Sequence, residues 1–220
     1  MRQETYMSIS YNILASGSSG NCIIVNDIVA LDMGIPFKKI EPYLDKLKLV
    51  FISHRHGDHL NLSTVRKLHN LRPTIRFCVG GFLYQELVRG GIDKRNIDVI
   101  KHNKVYDYKI LKVSPFILIH DVFNYGLRLF MNGEKLLYAT DTAKINHIKA
   151  TAYDCYLIEA NYDEQILEEN LKKDLEKHGF SYNSRVKDTH LSVNQATEFV
   201  FRNAAVNSKY ELIHNSKRNL

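Results

Sequence analysis

Proline is scarce in this sequence, with 4 among 220 residues, and no repeat, low-complexity tract or Pro/Gly-rich linker divides the chain. The absence of a linker favours a single domain over residues 1–220, with residues 1–6 as a peripheral extension. No run approaches the roughly 20 apolar residues of a membrane-spanning helix, so a membrane partner is not expected. The first ten residues lack the apolar core of a secretory signal.

Cysteine is also rare and occurs only at Cys22, Cys78 and Cys155. An odd number without a Cys-x-x-Cys pair argues against a disulfide framework. Cys78 and Cys155 lie in apolar runs, where they are expected to be small buried hydrophobic residues rather than ligands. This use of cysteine suits a reducing cytoplasm, which is the expected location.

The charge balance is positive, with a formal net charge of +6 and a pI of about 9.1. This modestly favours anionic partners without establishing that the protein binds nucleic acid. Residues 163–178 are locally acidic, with six Asp or Glu against three Lys, and are expected to form a helix with a solvated face.

Hydrophobic periodicity predicts an alternation of strands and helices in both halves of the chain. Strands are predicted at 9–13, 22–25, 28–31, 49–52, 75–79, 109–113, 116–119, 126–131, 135–139, 153–158 and 210–213. Helices are predicted at 36–47, 62–70, 82–89, 163–178 and 193–201. Asn132-Gly133 is a strong hairpin signal. This order is typical of an α/β protein in which two sheets pack face to face with helices outside.

Four residues of metal-binding types fall within six positions after the buried strand 49–52: His54, His56, Asp58 and His59. In an extended loop, the first two side chains can point to one place and the last two to another nearby. Imidazole and carboxylate suit Zn²⁺, and also iron or manganese. The alternative is a polar loop with accidental histidines, but a chance match to this pattern has odds of about one in a thousand.

Three more residues could complete a metal site, because each ends an apolar run: His120, Asp141 and His214. A lone histidine in such a place is more often a structural residue satisfied by hydrogen bonds. Three of them in the same context, beside the histidine cluster, favour ligands that meet at a sheet edge.

The sequence resembles the metallo-β-lactamase superfamily over nearly its whole length, and in particular the YycJ/WalJ-like nucleases, with tRNase Z as a cousin. Seven segments carry the resemblance in the family's order: residues 16–22, 54–59, 120–121, 140–142, 159–163, 190–192 and 214–218. The resemblance implies a four-layer αββα sandwich. It also implies two divalent metal ions, expected to be zinc, with manganese or iron as alternatives.

The resemblance implies two groups of metal ligands joined by a bridging carboxylate. They are His54, His56 and His120; Asp58, His59 and His214; and the bridge Asp141.

Two further residues resemble the proton-transfer pair of the tRNase Z cousins: His190, which would protonate the leaving group, and Glu159 behind it. Asp58 would also take part in catalysis, by accepting a hydrogen bond from the attacking hydroxide. His190 could instead be the last ligand, but His214 is preferred because it ends a strand, whereas His190 precedes a helix that Ser192 is expected to cap. The alternative for Glu159 is a surface carboxylate at a strand end.

Substrate contacts are expected from the small-residue loop through Ser18, Ser19 and Asn21, for which the alternative is a tight turn. Lys217 and Arg218 could pair with phosphate oxygens. Solvated charges of the tail are the alternative for this pair.

The predicted function is cleavage of phosphodiester bonds by an exonuclease-like enzyme acting on DNA or RNA ends, in which a homodimer is possible. Only 20 residues separate His120 from Asp141, and neither a tRNA-binding arm nor a large cap is visible. A cyclic-nucleotide phosphodiesterase of the phage anti-defence type therefore stays open, in which case the host cytoplasm is the expected location. An inactive metal-binding scaffold is a third possibility. β-Lactam or thioester hydrolysis is disfavoured by the pair Glu159 and His190.

Overall fold

A computed structural model describes residues 8–178 and 180–216 of the chain. Within these residues the strands form two six-stranded sheets. The first sheet contains β1 (Tyr11–Ala15), β2 (Cys22–Val25), β3 (Val29–Leu31), β4 (Leu49–Ile52), β5 (Arg76–Gly80) and β6 (Ile97–Ile100). The second contains β7 (Tyr106–Asp107), β8 (Lys112–Leu118), β9 (Asn124–Met131), β10 (Glu134–Ala139), β11 (Cys155–Glu159) and β12 (Lys209–Ile213).

Six α-helices are described alongside the sheets. They are α1 (Phe37–Ile40), α2 (Leu62–Leu71), α3 (Gly81–Arg89), α4 (Glu164–His178), α5 (Val186–Thr189) and α6 (Val193–Asn203). Short 3₁₀ turns occupy Glu41–Tyr43, Lys94–Asn96 and Tyr182–Arg185. Among the residues that the structure describes, no helix has the length and apolar content needed to cross a membrane.

Both sheets are mixed. In the first, the order is β1 to β6, with antiparallel pairing up to β3 and parallel pairing from β3 onwards. In the second, the order is β12-β11-β10-β9-β8-β7, and β10, β11 and β12 are parallel. The expected hairpin at Asn132-Gly133 joins β9 to β10, and both residues have the positive φ that such a turn requires.

Strand residues alternate between two apolar layers, which defines the stacking of the molecule. In β2, Cys22 and Ile24 face the helices, whereas Ile23 and Val25 face the other sheet. The strands of the second sheet alternate in the same way between the shared central core and a third core beneath α6. Three apolar layers separate four structural layers, so the predicted αββα sandwich is confirmed.

Three predicted elements that contain or adjoin a proline differ from the structure. The predicted helix 36–47 is only α1 followed by a 3₁₀ turn, because Pro42 has no N–H to continue the helical hydrogen bonds. The predicted strands 109–113 and 116–119 are one strand, β8, which runs through Pro115. The Pro115 carbonyl accepts a hydrogen bond from Asn103 N at 3.2 Å, so its nitrogen also faces this edge rather than β9.

Candidate metal centre

The candidate ligands converge because several strands end at the same edge of the sandwich. The strands of the first sheet supply the loop after β4, which carries the cluster of residues 54–59. The second sheet supplies His120 after β8, Asp141 after β10 and His214 after β12. The structure therefore brings together all the ligands that the sequence suggested.

The first group contains three histidines and Asp141, whose ligand atoms all lie within 4.8 Å of one another. His54 Nε2 lies 3.2 Å from His56 Nδ1, which in turn lies 3.4 Å from His120 Nε2. Asp141 Oδ2 lies 3.8 Å from His54 Nε2 and 3.7 Å from His120 Nε2. Four donors thus surround one point.

The second group lies on the other side of the same carboxylate. Asp58 Oδ2 is 3.5 Å from His59 Nε2 and 3.4 Å from His214 Nε2. Asp141 Oδ1 is 3.3 Å from His59 Nε2 and 3.5 Å from His214 Nε2. Each oxygen of Asp141 therefore faces a different group.

The donor spacing fits divalent cations. Zn–N bonds of 2.0–2.1 Å in a tetrahedron place neighbouring donors about 3.4 Å apart. The distances quoted for the first group run from 3.2 to 3.8 Å, and those for the second lie within this range. Imidazole and carboxylate donors in two groups with a shared bridge are thus suited to two divalent ions.

A buried carboxylate that the sequence reasoning missed, Asp32, orients the ligand rings. It is fully buried with φ +61°, and its Oδ2 lies 2.7 Å from His59 Nδ1. Because a carboxylate only accepts, His59 Nδ1 carries a proton, and Nε2 is the ring atom that would bind a metal. Asp32 also accepts from Ser53 Oγ at 2.9 Å and from Tyr138 Oη at 2.6 Å. Ser53 Oγ in turn accepts from His54 Nδ1 at 3.0 Å.

The two rings that Asp32 orients, His54 through Ser53 and His59 directly, differ in pKa. Burial, together with the neighbouring histidines, lowers the pKa of His54, which favours the neutral ring that a metal needs. Burial also acts to lower the pKa of His59, but the charges of Asp141 and Asp32 outweigh it and raise this pKa well above the usual value. A metal at this position must therefore displace a proton from His59.

The sequence did contain a signal for Asp32, because this residue follows the buried strand β3 just as Asp141 follows β10. Its partner Ser53 directly follows β4 and its partner Tyr138 lies in β10, so the network itself is visible only in the fold. A second missed residue is Asp121, whose exposed carboxylate lies 3.1 Å from His120 Nε2.

The small-residue loop packs against the second ligand group through Asn21. Asn21 is only 5% exposed, and its N–H donates to Asp58 O at 2.7 Å. Its side-chain nitrogen lies 3.0 Å from His59 Nε2. Gly34 fits so closely here that an added Cβ would lie 1.7 Å from Asp58 O. The substrate contact of Asn21 stays a prediction, and its buried amide can also position the ligands, because its nitrogen lies 3.3 Å from Asp58 Oδ2 as well.

The remaining predicted substrate contacts have different outcomes. Ser18 lines a cleft of 260 Å³ together with His56, Asp58 and His190. Ser19 is exposed and is not one of the described residues that line this cleft. Lys217 and Arg218 lie outside the described residues.

His190 and Glu159 form a hydrogen-bonded pair at the cleft, with 2.9 Å between His190 Nδ1 and Glu159 Oε2. Glu159 is fully buried, so the alternative of a surface carboxylate is wrong. Its Oε1 accepts backbone N–H groups from Leu191, at 3.2 Å, and from Thr142. Burial acts to lower the pKa of His190, but the hydrogen bond and charge of Glu159 raise it overall. The expected N-cap of the next helix is confirmed: Ser192 forms a capping box with Gln195.

The role of His190 as an acid is not the only one that the geometry allows. Asp141, Glu159, His190 and His214 also offer donor atoms within 4.8 Å of one another. The alternative in which His190 is a metal ligand therefore stays open.

Comparison with known proteins identifies relatives of this architecture. The family described as "Beta-lactamase superfamily domain" matches residues 25–214. The exodeoxyribonuclease WalJ of Streptococcus pneumoniae serotype 2 is 26% identical over 176 residues, covering 73% of this chain and 65% of that protein. The chain thus spans slightly less than two thirds of the length of this curated relative.

Two solved structures share the fold. The metallo-β-lactamase fold protein YhfI from Bacillus subtilis aligns with a TM-score of 0.72 and 14% identity, over 96% of this chain and 88% of that one. The short form of human tRNase Z aligns with a TM-score of 0.68 and 14% identity, over 94% of this chain and 93% of that one.

Proposed function

The chain belongs to the beta-lactamase superfamily, and from this premise we propose that it is a dinuclear metal-dependent phosphodiesterase, a nuclease that cleaves DNA or RNA. One observation carries the proposal: two donor groups share Asp141, and the pair of His190 and Glu159 lies beside them on one cleft. The match to an exodeoxyribonuclease favours DNA as the polymer. The net charge of +6 supports an anionic substrate.

The first group, with its three histidines, would hold one ion, and the group around Asp58 would hold the other. The histidine-rich donor set favours zinc over magnesium or calcium, with manganese and iron as the alternatives. When bound, such a pair of ions supplies an activated water and a positive clamp for the phosphodiester oxygens.

The protein's own groups orient the water and move the proton. Asp58 lines the cleft, where its carboxylate can accept a hydrogen bond from the attacking water and hold it in line with the phosphorus. His190 donates a proton to the departing oxygen, and Glu159 holds the ring through Nδ1. Because its pKa is raised, His190 retains its proton closer to neutral pH than a free imidazole would.

Three alanine variants test the metal groups and the acid separately. We expect His56→Ala and Asp141→Ala to abolish hydrolysis and to lower the metal content measured by elemental analysis. His190→Ala should slow turnover by about 100-fold or more while two metals remain. His178→Ala, an exposed histidine on α4, is the matched control and should change neither quantity.

The outcomes of these variants separate the possible roles. Full activity of Asp141→Ala would exclude the dinuclear site. Loss of one metal from His190→Ala would make that residue a ligand instead of the acid.

A substrate panel tests the class of phosphodiester. The metal-loaded protein should cleave linear DNA faster than linear RNA or cyclic mononucleotides. Affinity for a polymer should fall steeply as salt rises, because the protein displaces condensed counterions, whereas a mononucleotide should show a shallow slope. Preferential hydrolysis of cyclic nucleotides with a shallow slope would identify the protein as a cyclic-nucleotide phosphodiesterase.

A further inference from the structure

An aromatic platform lies on the surface beside the first metal group. It consists of Phe82 on α3, Phe123 just before β9 and Tyr125 at the start of β9. The rings of Phe82 and Phe123 are stacked, with centroids 5.9 Å apart and planes at 23°. Tyr125 packs edge-on against Phe82 at 5.2 Å. Phe123 is 80% exposed, so little of it contributes to the core.

Backbone connections place the platform next to the candidate metal ligands. Phe123 follows His120 by three residues. Tyr125 N donates to Ser53 O at 3.2 Å, immediately before His54. The start of β9 and the end of β4 are therefore joined at the edge where the cleft opens.

Cationic side chains lie near two rings of the platform, Phe82 and Tyr125. Phe82 lines a groove of 400 Å³ together with Arg55 and Arg89. Arg55 is exposed and lies 3.1 Å from Glu86, whose single negative charge leaves this groove net positive. On the other side, the ring of His102 lies 6.2 Å from that of Tyr125, within an exposed loop that also carries Lys101 and Lys104.

We propose that the aromatic platform and its arginines hold a single strand of DNA that leads into the cleft, a proposal that rests on the nuclease function above. Exposed aromatic faces stack on nucleobases, whereas flanking cations pair with the phosphates between them. The faces of bases in a duplex are already stacked on their neighbours, so the platform selects single strands. The Arg55 and Arg89 side chains supply charge on the same groove as Phe82.

Fluorescence anisotropy with a labelled phosphorothioate dT12, which resists cleavage, tests the platform in the metal-loaded protein. Phe123→Ala should weaken binding by about 5- to 150-fold, the usual effect of losing one base-stacking ring. Phe123→Tyr should bind within about twofold of the unaltered protein, because it keeps the aromatic face. Phe201→Ala, an equally apolar change at a 71% exposed ring on α6, is the matched control and should bind normally.

Several outcomes would overturn the platform. One is equal binding of dT12 by Phe123→Ala and the unaltered protein. Another is equal binding of a blunt duplex and of the single strand by the unaltered protein. The third is an equal loss of dT12 affinity in Phe123→Ala and Phe123→Tyr. Hydrolysis of bis(p-nitrophenyl) phosphate by the unaltered protein tests the proposed function separately. Binding of dT12 through Phe123 without any phosphodiesterase activity would reject the nuclease and keep the strand site. Phosphodiesterase activity of the unaltered protein, together with unchanged dT12 binding by Phe123→Ala, would keep the nuclease and reject the strand site.

Discussion

Replacing Asp32 by asparagine removes one negative charge from beneath the candidate metal centre without changing the shape of the side chain. In the structure both carboxylate oxygens accept: Oδ1 from Ser53 N at 2.7 Å, and Oδ2 from three groups that include His59 Nδ1. An amide has only one accepting oxygen. If its nitrogen faces the Ser53 backbone N–H, two donors confront each other, and that N–H cannot rotate away. If the nitrogen faces His59, the ring loses its acceptor.

The expected magnitude follows from the number of ligands that depend on Asp32. It holds His59 directly and His54 through Ser53, so it orients one ring in each group. Removing a carboxylate that orients a metal-binding histidine typically costs 10- to 100-fold in metal affinity. This corresponds to about 1.4 to 2.7 kcal/mol. Loss of the charge also lowers the pKa of His59, which eases proton displacement and keeps the effect within this range.

The assay is competition for zinc between the metal-free protein and a chromophoric chelator of known affinity at neutral pH. Asp154→Asn is the matched control, because the Asp154 carboxylate also accepts a backbone N–H, from Lys135 at 2.7 Å, but lies exposed before β11. Its zinc affinity should equal that of the unaltered protein. If Asp32→Asn also binds zinc with unchanged affinity, Asp32 does not orient the ligands and the reasoning fails.

Two other perturbations have defined outcomes. Gly34→Ala should lower the free energy of unfolding by about 1–3 kcal/mol or more, because its Cβ would lie 1.7 Å from Asp58 O. Gly57→Ala, in the loop after β4 where an added Cβ meets no atom within 4 Å, should leave thermal unfolding nearly unchanged. A melting temperature of Gly34→Ala equal to that of the unaltered protein would contradict the packing argument. Glu159→Gln removes the charge that raises the pKa of His190, so kcat, which requires the protonated ring, should begin to fall at lower pH. A pH profile of kcat that coincides with that of the unaltered protein would show that Glu159 does not tune the acid.

Much of the fold could be predicted because burial leaves a periodic signature. Strands such as β4 are short runs of apolar residues, and their ends are marked by polar ones. Elements without this signature were missed: β7 has two residues, and β6 alternates only weakly between buried and exposed positions. The length of α1 depended on one missing N–H at Pro42, which periodicity does not register.

The candidate ligands could be predicted from the sequence for a different reason: clusters of histidine and aspartate are rare, and these residues follow strand ends. The groups that orient these ligands could not be predicted from the sequence. Asp32 meets Tyr138 across 106 positions of sequence, and this contact exists only once the two sheets have packed. The exposed Phe123 carried no signal either, because a single aromatic residue at the start of a strand is ordinary in any globular protein.

The two donor groups lie where the two sheets meet, and each group takes residues from both. His54, His56 and His59 come from the half of the chain before residue 101, whereas His120, Asp141 and His214 come from the half after residue 105. Ions held there would hold the two halves together, because neither half alone offers a complete set of donors. Metal binding would then be linked to docking of the sheets and would stabilise the sandwich by mass action. A chain cut within the exposed loop 101–105 should therefore reassemble more readily when zinc is supplied than when it is withheld.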